Sequence, residues 1–166
     1  MAATQTSQIV IKLQAEASNV TLGTVRDQIA LDYTTNIGPG SGAGLANVIY
    51  RATITLAASG TADYDFSGTA LTDGLGTAVA LTKIKAIIVH AAAANTNNVV
   101  VGGVNTTIAI FADVSDKIAI KPGGTLVLTD PSVAGITVTA ASADLLTITN
   151  SSSGTGVTFD LVVIGL

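Results

Sequence analysis

The sequence predicts an all-β chain: an antiparallel β-sandwich of jelly-roll type with an N-terminal extension. Three observations carry this. From about Ala46 onward, short β-branched runs recur between Gly, Asn, Asp, Ser and Pro, at the spacing of a sandwich or barrel. Within those runs threonine and charged residues alternate with Val, Ile and Leu, the period of a strand with one face buried. The same stretch contains no helical repeat. Residues 46–166 are therefore read as the β-sandwich domain, and residues 1–45 as an N-terminal arm or leader.

The elements follow in order. Val48 to Leu56 places Val48, Tyr50, Ala52, Ile54 and Leu56 on one face, with Arg51, Thr53 and Thr55 on the other. Ala62 to Phe66 alternates again, with Tyr64 and Phe66 inward and Asp63 and Asp65 outward. Gly68 and Asp73-Gly74 supply turns. Lys83 to Val89 sets Ile84, Ala86 and Ile88 on an apolar face. Its other face passes from Lys83 and Lys85 to Ile87 and Val89, as if leaving solvent for a contact. Asn95 to Asn98 is a turn before Val99 to Val101, and Gly102-Gly103 a second turn before Thr107 to Phe111. Lys117 to Lys121 stops at Pro122-Gly123-Gly124, because proline lacks the ladder donor and glycine admits positive φ. Thr125 to Thr129, Ile136 to Ala140, Leu145 to Thr149 and Val157 to Ile164 complete about nine strands, joined by short loops.

The leader reads differently. Gln8 to Leu13 suits a strand, Thr24 to Leu31 a helical turn or two, and the glycine run from Gly38 to Gly44 reads as a flexible joint. Such a segment is either the opening strands of the same fold or an arm that reaches a neighbour.

Composition narrows the function. The chain has 166 residues, of which 11% are charged, with seven Lys and Arg against eleven Asp and Glu. Soluble domains commonly carry about a quarter charged residues. With no basic cluster to neutralise a row of phosphates, no nucleic-acid partner is expected. Mean hydropathy is +0.60, yet no run of about 18 apolar residues is uninterrupted. Three Tyr and three Phe do not furnish the aromatic girdles of a membrane barrel, so no membrane partner is expected either. Residues 1–8 lack the charged and apolar regions of a signal peptide, which suggests synthesis in a cytoplasm. Without cysteine there is no disulfide framework and no thiolate chemistry.

A catalytic site is not legible. His90, the one imidazole, ends an apolar strand and reads as a strand-end or core histidine. No serine sits in a G-x-S-x-G elbow, and the glycines of residues 38–44 fit neither a dinucleotide fingerprint nor a P-loop. Asp63 and Asp65 share a strand and Asp113 and Asp116 flank a loop. Without Trp to line a sugar cleft, and without an EF-hand pattern, they read as turn and solubility residues. The sequons at Asn19, Asn105 and Asn150 read as turn chemistry. The expectation is no enzyme, with no catalytic, cofactor-binding or metal residues.

Residues 66–166 add a resemblance. Thr69-Ala70-Leu71-Thr72-Asp73-Gly74-Leu75-Gly76, the Lys83-Ile84-Lys85 strand and Lys117-Ile118-Ala119-Ile120-Lys121-Pro122-Gly123-Gly124 resemble small β-rich virion proteins of tailed bacteriophages. Asp130-Pro131, Gly135 to Val138, Asp144 to Asn150 and the terminal Val163-Ile164-Gly165 continue the pattern. The resemblance implies a structural role on the capsid exterior, as a decoration or cement protein. It implies as partners the major capsid protein and copies of the chain itself, as a homo-trimer or dimer. Two alternatives stand beside it: another virion component such as a tail, neck or fibre protein, or a carbohydrate-binding surface β-sandwich with Tyr64, Phe66 and the intervening aspartate as the sugar patch.

Overall fold

A computed structural model describes residues 5–19, 25–103, 108–111, 113 and 115–166. The described residues form strands and loops with no helix. β1 (Ser7–Asn19) and β2 (Val25–Pro39) make a long antiparallel hairpin, and β3 (Leu45–Ala46) joins β2 in parallel. The body contains β4 (Val48–Leu56), β5 (Thr61–Asp65), β6 (Lys83–Ala91), β7 (Val99–Gly102), β8 (Lys117–Ile120), β9 (Thr125–Thr129), β10 (Ile136–Thr137), β11 (Leu145–Asn150) and β12 (Val157–Gly165). One sheet runs β10-β6-β12-β4, with β9 also on β6; the other runs β5-β11-β7-β8. Every pairing within these two sheets is antiparallel.

The period-two reading places the core. Tyr50 and Leu56 of β4, Tyr64 and Phe66 of the β5 segment, and Phe159, Leu161 and Val163 of β12 turn into one apolar cluster between the sheets, where Ile148 and Leu146 of β11 meet them. Tyr50 and Phe66 pack edge to face with ring centroids 5.6 Å apart, the arrangement their quadrupoles favour. Arg51, Thr53 and Thr55 face solvent, as the alternation requires.

Four local expectations are corrected. Thr24 lies outside the described residues, and Val25 to Leu31 is strand, not helix: thirteen rungs pair it and its continuation with β1, and that ladder outweighs the helical spacing of Val25 and Ile29. In β6 the core face is Ile84, Ile87, Val89 and Ala91, while Ala86 and Ile88 turn to the outer side. The register shifts where Ile164 pairs with Ala86 and Gly165 with Ile84. This bulge inserts one residue and inverts the alternation beyond it. Gly165 permits it, since a Cβ there would collide with the Lys83 carbonyl. Lys85, at the bulge, is fully buried and donates from Nζ to the carbonyls of Ser132 and Val133, which ties the loop after β9 to the sheet. Finally, of Thr107 to Phe111, residues 104–107 lie outside the described residues and Ile108 to Phe111 are not strand. Ile108 is buried as an anchor, and its N–H donates to the Leu145 carbonyl at 2.9 Å.

Candidate functional site: the amphipathic hairpin and its root

Strict alternation on two paired strands gives the hairpin two unlike faces. On one, Ile9, Ile11, Leu13, Ala15 and Ala17 stand beside Thr35, Tyr33, Leu31, Ile29 and Asp27. On the other, Lys12 pairs with Asp32 at 3.2 Å and Arg26 with Glu16 at 3.6 Å. Gln28 donates to Glu16 at 2.7 Å and Gln8 to Asn36 at 2.9 Å. The polar face is thus satisfied within itself.

The apolar face is not. At its root Ile9 and Ile37 are buried against Ala46, Ala86 and Ile164 on the outer side of the β6–β12 sheet. Beyond the root, Ile11, Leu13, Ile29, Leu31 and Tyr33 are 41–63% exposed. Apolar surface in one contiguous stripe marks a contact site far better than scattered exposed residues do.

The glycine run is the joint between hairpin and body, and it is tied, not free. Gly38 N–H donates to the Gly44 carbonyl at 2.8 Å, Gly44 N–H to the Pro131 carbonyl at 2.6 Å, and Gly40 N–H to Asn47 Oδ1 at 2.8 Å. The glycines fall at every second position because the backbone wraps the Leu45 side chain: a Cβ on Gly38, Gly40 or Gly42 would lie 2.9–3.3 Å from its methyl carbons.

The residues considered for chemistry are dispersed and occupied. His90 is half-buried near the end of β6, and its Nδ1 shares a 2.8 Å hydrogen bond with Thr125 Oγ1. Asp63 accepts from Thr147 Oγ1 at 2.6 Å. Asp65 accepts from the N–H groups of Ser67 and Gly68 and from the Ser67 hydroxyl. Burial pushes its carboxyl up, but those hydrogen bonds outweigh burial and hold it below its ordinary value. Ser115, through its hydroxyl and its N–H, likewise lowers Asp113, and Asp116 accepts from Asp113 N–H. Among the described residues no three of His, Asp and Glu converge on a point that suits a metal ion.

Tyr64 and Phe66 are buried in the core, so neither ring is offered to a sugar and the patch expected there is absent. Burial raises the Tyr50 hydroxyl, and burial with the neighbouring Tyr50 pushes Tyr64 up to about 12. Asn150 is structural: its amide donates to the carbonyls of Ala57 and Thr155, and its Oδ1 accepts from Asn97. Asn19 has no described side-chain environment, and Asn105 lies outside the described residues. On the outer face of β4, Arg51 and Thr53 with Asp73 and Asp160 border a shallow groove of about 540 Å³. Asp160 there accepts from Thr53 at 2.5 Å.

Sequence reasoning missed the bare stripe, because reading part of β2 as helix scattered Ile29, Leu31 and Tyr33 around an axis. Their alternation with Gln28, Ala30 and Asp32 was the available signal. In comparisons with known proteins the chain matches no family model, no curated protein and no solved structure.

Proposed function

We propose that the chain is a structural virion protein that binds the outer surface of a tailed-phage capsid and stabilises the lattice, with the major capsid protein and copies of itself as partners. The observation that carries the reading is the hairpin, whose bare apolar stripe stands off a closed sandwich through a tied joint. In this reading residues 1–45 are the arm by which the subunit holds its neighbours. The turn-and-strand resemblance over residues 66–166 supplies the virion setting.

The strand orders support the finer fold reading as well. Taken in chain order, β4, β5, β6, β7, β8, β9, β11 and β12 interleave as β4-β12-β6-β9 and β5-β11-β7-β8, the order of two Greek keys in a jelly roll. Jelly rolls recur in capsid and lectin domains, an analogy of fold alone. Low charge suits the role, since few ions need be stripped of water when subunit surfaces meet. Repetition over a lattice multiplies a modest affinity.

The test is binding of the purified protein to expanded capsids that lack it. Saturable binding and a raised resistance of those capsids to heat are expected. Absence of binding sinks the assignment.

A further inference from the structure

We propose that Lys85 is a positioning residue for the hairpin: from inside the sandwich it shapes the arch of residues 130–135 to which the hairpin's joint is tied, and so sets the angle between hairpin and body. This device is the same whatever the hairpin touches.

The arch exists because β9 and β10 share one edge of β6. β9 leaves that edge at the Ala86–Thr129 pair and β10 rejoins it at the Ile84–Ile136 pair, so residues 130–135 stand opposite Lys85 alone. A loop with no strand beside it keeps its shape only through what its backbone groups meet. Here Lys85 Nζ donates to the carbonyls of Ser132 and Val133, and Lys83 Nζ adds a donor to Val133 at 3.0 Å. Asp130 N–H donates to the Lys85 carbonyl at 2.9 Å, and Asp130 Oδ1 accepts from Ser132 N–H at 3.0 Å. Lys85 is fully buried, and an ammonium taken out of water is costly unless it is hydrogen-bonded. The arch and the ammonium therefore hold each other.

Two fastenings of the hairpin trace to this residue. The Pro131 carbonyl of the arch accepts Gly44 N–H at 2.6 Å, and the Gly44 carbonyl accepts Gly38 N–H of β2 at 2.8 Å. Gly44 makes this link at φ +64°, where a side chain would be strained. The second fastening is apolar. The bulge at Lys85 turns Ala86 to the outer side of the sheet, where it packs with Ile164 against Ile9 and Ile37. One inserted residue thus supplies the donor that shapes the arch and places a methyl group under the hairpin's root.

Because the chain has no cysteine, Gln14→Cys with Leu75→Cys gives a single pair of spin labels on exposed positions of hairpin and body. Gln14 lies about 23 Å along β1 from Ser7, so a swing of about 10° at the root moves its label by about 4 Å. In this background Lys85→Met keeps the apolar stem and removes the donors. It should shift or broaden the label distance by about that amount, and the Gly44 amide should exchange about fivefold faster, as the loss of one hydrogen bond implies. Gly135→Ala keeps the ammonium but sets a Cβ 2.9 Å from the Ile84 carbonyl and 3.3 Å from Lys85 Nζ. It should displace the label in the same way, and it decides the matter if Lys85→Met does not fold. Phe66→Leu loosens the core between the sheets, and should lower the thermal midpoint while label distance and Gly44 exchange stay as they are. An unmoved label in both arch variants, an unchanged Gly44 amide in Lys85→Met, or the same displacement in Phe66→Leu overturns the proposal.

Discussion

Tyr33 and Tyr64 both sit on antiparallel strands with strict alternation, yet Tyr33 is 63% exposed and Tyr64 is 7% exposed. The hairpin and the sandwich obey the same local rule, and they differ in what lies opposite. In the sandwich each apolar face meets a second sheet at core distance, so alternation becomes burial. In the hairpin thirteen rungs pair the backbone groups that point between the strands, but beyond the root no layer among the described residues lies opposite the apolar face. A two-stranded ribbon is marginal by itself, and in the proposed reading a neighbouring subunit completes it.

That contrast sets out what substitutions should do. Phe66→Ala empties a fully buried site and should lower the unfolding free energy by about 3–5 kcal/mol, read by denaturant melts. Asn150→Ala removes the amide that joins the Ala57 and Thr155 carbonyls, each of which keeps a second donor in Gly60 N–H and Asn97 Nδ2, and a loss of about 1 kcal/mol is expected. Deleting residues 1–40 uncovers Ala86 and Ile164 and should cost the body about 1 kcal/mol, leaving a soluble folded sandwich by circular dichroism with weakened capsid attachment. An insoluble, unfolded product would make the leader part of the core. At the small end, Leu31→Ala should change stability by less than about 0.5 kcal/mol. A cost equal to that of Phe66→Ala would erase the distinction between the regions.

Titration sharpens the same division. Asp65, Asp113 and Asp130 are held below the ordinary carboxylate value, Asp130 chiefly by the hydroxyl and N–H of Ser132. A lowered folded value gives stability that is present above the unfolded pKa of about 3.9 and is lost as pH falls through the folded value. Thermal midpoints should therefore hold at neutral pH and decline only below about pH 4. Asp113 is exposed and Asp65 and Asp130 are only half-buried, so the decline is shallow. Tyr64, raised to about 12, acts in the opposite sense: its contribution is complete below the unfolded value of about 10 and is lost as pH rises through the folded one. Tyrosinate absorbance from Tyr64 should appear together with alkaline unfolding and not before it.

Much of the sandwich was legible because a strand with one buried face writes its period into local sequence. Val48 to Leu56 is recovered residue for residue as β4, and Val157 to Ile164 lies within β12. What escaped depends on partners distant in the chain. The bulge at Lys85 is set by Gly165 across the sheet, and one inserted residue reverses every side chain after it. The bare stripe required pairing Ile11 with Tyr33 and Leu13 with Leu31, a register that neither strand specifies alone. No signal near His90 or the aspartates marked a reaction, and their side chains are spent on neighbouring strands and turns.

The glycine collar around Leu45 has a mechanical consequence. Thirteen rungs at about 3.3 Å each make the hairpin a lever of about 43 Å, with its fulcrum where the collar grips that one side chain. A rotation of about 10° at the fulcrum displaces the last rung by about 7 Å, more than one strand spacing. The volume of residue 45 and the bareness of the surrounding glycines thus act as an aiming screw, through which a methyl group at the base sets where the far end points.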